Sequence, residues 1–144
     1  MDLSAPDTML TADQRRRIRE TSSALRSEAV PVSVLFYRKL FELDPSTRHM
    51  FHTDLAAQGR KLIDTLDAVV ASIDDLGAIR ERLMLLGRQH AGYGVTPRHY
   101  DAASRALLWT LGQAVDDFTD ETREAWQAAL AAITETMKAG AAGV

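Results

Sequence analysis

Apolar residues recur along this chain at steps of three and four, and nowhere does a period of two persist long enough to predict a strand. Glycine and proline fall at a few punctuation points, so the pattern predicts an all-α chain of six to eight helices. Thr11 followed by Gln14 has the form of a capping box and opens a first helix to about Leu25, with Ile18 and Leu25 on one side. A second helix follows at once. Pro31 suits its first turn, and Val30, Val34, Tyr37 and Phe41 trace an inward stripe until Asp44-Pro45 stops it. Pro45 begins a short helical turn ending near Phe51. Asp54 then caps a long helix whose stripe is Leu55, Gln58, Leu62, Leu66, Val69 and Ile73.

The next stripe, from about Leu76, is Ile79, Leu83, Leu86 and His90, and Gly92 and Gly94 end it. Thr96-Pro97 is an N-cap followed by a first-turn proline, and it starts a helix bearing Tyr100, Leu107, Leu111 and Val115. A last helix opens at Thr119-Asp120-Glu121 and carries Trp126, Leu130, Ile133 and Met137. The Ala/Gly tail beyond it, residues 139–144, is expected to fray, as are residues 1–10.

At 144 residues the chain suits one domain, 1–144, able to bury a single core. With 46% hydrophobic and 26% charged residues it is neither a disordered nor a membrane sequence. A net charge of -3 offers no phosphate-binding surface, and the run Arg15-Arg16-Arg17 sits between Asp13 and Glu20 as a solvated face, so no nucleic-acid partner is expected. There are no cysteines, which rules out disulfides and thiolate metal sites. The N-terminus lacks the charged start and apolar stretch of a signal peptide, so a cytoplasmic location is expected.

The candidate chemistry lies where polar residues interrupt apolar stripes. His90 ends an inward stripe on a firm element, and a neutral imidazole there is either a satisfied core histidine or an axial iron ligand for a haem. The carbonyl of Leu86, one turn earlier, is placed to accept the other ring N–H and fix the tautomer. His49, His52 and His99 lie at element ends and read as surface residues. Tyr37 and Gln58 are inward hydrogen-bond donors. Aimed at a polarised oxygen ligand they would retain it, as an oxyanion hole retains charge; the plainer alternatives are a rim tyrosine and an exposed glutamine. Phe51 is either a core aromatic or a ring stacked on a flat cofactor. Leu62 is either ordinary core or a residue crowding a ligand, and Lys61, Arg88 and Arg98 are either solvated charges or partners for haem propionates.

In order and spacing these residues resemble the globins, among them the bacterial single-domain globins and the haem domains of flavohaemoglobins. FYRKLFELDPSTRHMF, residues 36 to 51, is similar to the family's second helix and corner, with Tyr37 at the distal tyrosine, Pro45 at the corner proline and Phe51 at the haem-stacking phenylalanine. QGRKLI, residues 58 to 63, resembles the distal helix, with Gln58 at the distal position and Leu62 one turn on. LGRQHAGYGV, residues 86 to 95, resembles the proximal segment, with His90 as the iron ligand and Val95 against the porphyrin.

The resemblance implies a globin fold around one haem b. Lacking cysteine, the chain would hold it without a covalent bond. It implies reversible binding of oxygen, nitric oxide or carbon monoxide at a five-coordinate iron. Tyr100 matches a tyrosine beside the proximal histidine of flavohaemoglobins, whereas the place of their proximal glutamate falls near Gly143, so a charged proximal relay is not expected. No flavin and nicotinamide domain is expected either. The alternatives are a nitric oxide dioxygenase fed by a separate reductase and a haem-based sensor. A monomer or weak homodimer is expected.

Overall fold

A computed structural model describes residues 10–25, 29–51 and 54–142. The described residues form six α-helices and no strand: α1 (Ala12–Leu25), α2 (Ala29–Leu43), α3 (Leu55–Ala71), α4 (Arg80–Gly92), α5 (Pro97–Ala114) and α6 (Asp120–Ala142). A 3-10 corner turn, Pro45–Met50, joins α2 towards α3, and a second, Leu76–Ile79, leads into α4.

The caps are those the residue types dictate. Thr11 and Gln14 exchange two hydrogen bonds, the Thr11 N–H donating to Gln14 Oε1 at 2.9 Å and the Gln14 N–H to Thr11 Oγ1 at 3.0 Å. The Asp44 carboxylate accepts from the Ser46 N–H at 3.1 Å at the head of the corner turn, and Asp54 accepts from the Ala56 N–H at 2.9 Å at the head of α3. Arg16 and Arg17 pair with Asp13, Arg16 also reaches Glu20, and Arg15 pairs with Asp74, so the basic run is tied down locally.

α2 packs on α3 and α5, α1 on α6 and α3, and α4 lies along α6. The core between them holds Ile18, Val32, Phe36, Ile73, Leu111 and Trp126 among others. Three glycines allow the closest crossings. A Cβ on Gly59 of α3 would stand 2.7 Å from Ser33 Oγ of α2. One on Gly87 would stand 1.9 Å from the Met137 carbonyl oxygen, and one on Gly140 would stand 2.1 Å from that of Met84. The α4–α6 contact is therefore backbone on backbone, reciprocal at two positions three residues apart on each helix.

Several expectations need correction. Val34 is 52% exposed rather than inward. The buried face of α2 centres on Val32, Phe36, Tyr37 and Leu40, and at ~100° per residue Val34 falls beyond its edge. Leu55 is likewise exposed, because it is the first residue of α3 and precedes the packed turns. The last helix does not fray from Ala139: α6 continues to Ala142, and Gly140 is buried against Met84. The Val30 side chain, His52, residues 1–9 and residues 143–144 lie outside what the structure describes.

Candidate functional site

α3 and α4 make no substantial direct contact. They face each other across a cavity of about 240 Å³ with Thr65 and Val69 on one side and Leu83, Leu86 and Gln89 on the other. α3 is held from behind by α2 and α4 by α6, so the gap between them is propped open by the rest of the fold.

His90 sits in the last turn of α4, half-buried. Its Nδ1 donates to the Leu86 carbonyl oxygen at 2.8 Å, the bond the spacing anticipated. That partner assigns the Nδ1–H tautomer and leaves Nε2 with its lone pair. The ring stacks on Tyr100 of α5 with centroids 6.3 Å apart and planes at 20°. Tyr100 is buried, its hydroxyl has no hydrogen-bond partner, and burial raises its pKa. Val95 lies half-buried where the chain leaves α4, its N–H donating to the His90 carbonyl oxygen at 3.1 Å.

Tyr37 is buried within an aromatic group. Its ring meets Phe36 edge-on at 5.1 Å, Phe51 edge-on at 5.1 Å and Phe41 in a stack at 6.1 Å. Burial pushes its pKa up to about 12, so the hydroxyl keeps its proton at neutral pH. Phe51 ends the corner turn half-buried. Gln58 in the first turn of α3 and Leu62 one turn on are both half-buried, and Leu62 and Leu86 pack against the core. Lys61 and Arg88 are exposed. Arg98 is exposed but engaged: it pairs with Asp44 at 3.2 Å and donates to Ser46 Oγ at 3.2 Å.

One histidine departs from expectation. His99 is buried, not superficial. Its Nδ1 accepts from the Thr96 N–H at 2.9 Å, closing a box at the head of α5, while Nε2 faces Ser46 Oγ at 3.2 Å and Asp44 at 3.8 Å. The spacing Thr96-x-x-His99 carries this signal, since an N3 side chain with an acceptor can reach back to the N-cap N–H. The network pins the corner turn, and with it Phe51, to α5. Ser46 first, then Arg98 and His99, hold the Asp44 carboxyl below its ordinary value of 3.8 despite the opposing desolvation. A carboxylate whose folded pKa lies below its unfolded one contributes stability in full above about pH 4 and loses it as the pH falls through the folded value. Asp44→Asn should therefore lower the melting temperature at pH 7 and flatten its fall as the pH drops below about 4; identical pH profiles for variant and parent would remove Asp44 from that role.

Among the described residues no group of three or more His, Asp or Glu side chains could hold a metal ion. A lone imidazole with one free nitrogen suits instead a metal that brings its own equatorial ligands; of the candidate haem contacts only Leu86 lines the α3–α4 cavity, with His90 one turn further along the same helix. The ring of Tyr100, whose hydroxyl is partnerless, stacks beside that imidazole. Among the described residues no helix is long and apolar enough to cross a membrane.

An all-helical fold with a cleft between two of its helices belongs to the class of helical proteins that can house a cofactor between facing helices. Residues 34–137 match the family model for globins, and the chain belongs to the globin family. The family implies a haem cofactor and binding of gas ligands. A flavohemoprotein of Vibrio cholerae is 30% identical over 125 residues, covering 84% of this chain but 32% of that protein, so the chain spans about a third of its length. A neuroglobin of Tetraodon nigroviridis is 28% identical over 149 residues, covering 91% of this chain and 92% of that one. Among solved structures, an engineered carbene transferase made from a putative nitric oxide dioxygenase of Rhodothermus marinus superposes with a TM-score of 0.83 at 27% identity, covering 93% of this chain and 94% of the other.

Proposed function

We propose that this globin holds haem b non-covalently through His90 Nε2 and binds oxygen, nitric oxide or carbon monoxide reversibly on the opposite face. The observation that carries the reading is the His90–Leu86 hydrogen bond, which commits Nδ1 and frees the other nitrogen for iron. When bound, the haem supplies a ferrous iron able to take a diatomic gas. In this reading Leu86 and Val95 would pack on the proximal side and Phe51 at the corner, Tyr100 would support the ligating ring, and the exposed Lys61 and Arg88 would be the cations available to the propionates.

Tyr37 and Gln58 act as the donors on the distal side, and Leu62 restricts the space beside them. The protonated Tyr37 hydroxyl, already desolvated by its aromatic neighbours, offers a stronger bond to a partly negative ligand than one exposed to water. Tyr37→Phe should speed oxygen dissociation by a factor on the order of 10 or more, the equivalent of losing a bond worth about 1.5 kcal/mol. An unchanged rate in stopped-flow would remove Tyr37 from the mechanism.

A second reading is favoured by the company the chain keeps: a flavohemoprotein and a putative nitric oxide dioxygenase are both similar to it. In that reading each conversion of nitric oxide and oxygen to nitrate would draw one electron from the haem held by His90, with Tyr37 and Gln58 holding the oxygen, and a separate reductase would have to replace that electron. Sustained NADH-dependent consumption of nitric oxide with an added reductase supports it; one stoichiometric turnover supports gas binding alone. A cytoplasmic location and a monomeric or weakly dimeric state belong to the same proposal.

A further inference from the structure

A second and larger cavity, of about 610 Å³, is bounded by α2, the corner turn and the first half of α3, with no residue of α4 or α5 in its wall. Its volume falls within the ~300–1,000 Å³ of small-molecule sites. Val34, Phe41, Leu55 and Ile63 make it apolar. Two of these, Val34 and Leu55, are large hydrophobic side chains left 52% and 40% exposed.

Three guanidinium groups, Arg38, Arg48 and Arg60, share the same wall, against one carboxylate, Asp64. Among the described residues none of the three forms an ion pair, as is also true of Arg80, Arg82, Arg88 and Arg123; what sets these three apart is that they share one apolar wall. Arg48 lies over the Phe41 ring, 5.1 Å from its centroid. Gathering three like charges around an apolar hollow, in a chain whose net charge is -3, raises electrostatic energy that an anion would relieve.

We propose that this cavity is a binding site for an amphiphilic monocarboxylate, a free medium-chain fatty acid. Its aliphatic tail covers Val34, Phe41, Leu55 and Ile63, and its carboxylate takes the guanidinium groups, whose planar forks match carboxylate geometry. The assignment does not rest on the haem reading, because none of the proposed haem contacts except the Tyr37 ring lines this cavity.

The test is calorimetric titration of the full chain, as purified, with decanoate, decanol and decyltrimethylammonium. Decanoate should bind saturably at one site, at least 10-fold more tightly than either control. The double variant Arg48→Glu, Arg60→Glu should weaken decanoate at least 10-fold, and Ala56→Trp, which adds an indole at an exposed position in the wall, should abolish binding. All variants should keep the parent melting temperature and Soret band. Because the two arginines are exposed, the charge reversal tests the site without disturbing the core. Equal binding of decanoate and decanol would overturn the proposal. So would variants that bind as the parent does, a decanoate-induced Soret shift placing the acid over the iron, or sedimentation with phosphatidylglycerol vesicles in the absence of decanoate binding.

Discussion

His90→Gly should yield a protein that purifies without the parent Soret band and recovers it when imidazole is added to the medium. The substitution removes the imidazole that accounts for the proposed iron bond, and at the same time the hydrogen bond to the Leu86 carbonyl, a mid-helix oxygen that keeps its place in the i to i+4 backbone pattern of α4. His90 is half-buried and at the C-terminal turn of α4, so its loss costs the fold little compared with its cost to haem retention. Rescue by free imidazole separates loss of a ligand from loss of structure, since a collapsed cleft would not accept it. A glycine variant that keeps the native Soret band and gas-binding kinetics without added imidazole would sink the proposed site as a whole.

Gly87→Ala should lower the melting temperature by on the order of 5 °C. Helix propensity alone argues the other way, since alanine is favoured over glycine by about 1 kcal/mol within a helix. Space decides the sign. The new methyl would stand 1.9 Å from the Met137 carbonyl oxygen and 2.6 Å from its carbon, atoms of backbone that cannot rotate aside, and overpacking of this kind costs about 1–3 kcal/mol or more. The helix can relax only by moving off α6, across the gap towards α3, and it carries His90 with it. Gly87→Ala should therefore also alter carbon monoxide rebinding in flash photolysis, and Gly140→Ala, which meets the Met84 carbonyl at 2.1 Å, should do the same. A Gly87→Ala protein with a raised melting temperature and parental rebinding would show that α4 does not rest on α6 this closely.

Both experiments touch the same helix, yet only one was legible beforehand. His90 ends an apolar stripe at steps of four, three and four with Leu86 one turn before it, which by itself equally suits a satisfied core histidine; the order and spacing of Tyr37, Phe51, Gln58 and His90 together single it out. Gly87 is a glycine inside a helical pattern, which by itself reads only as a weak point. Its purpose depends on a residue fifty positions away. His99 shows the same limit: its place in the Thr96 box is local and readable, whereas its burial against Ser46 and Asp44 is not.

The linear chain by itself determined that this protein is all-α, where its helices begin and end to within a few residues, and which polar side chains interrupt the apolar stripes as candidates for the proposed site. Those properties depend on spacing, capping and residue chemistry over at most a few turns of helix. Only the tertiary structure decided that α3 and α4 stand apart, that α4 lies backbone to backbone on α6, that Val34 faces solvent and that three arginines meet around a second cavity. These depend on the distance between segments remote in sequence, and close packing sets that distance only once every helix has found its neighbours.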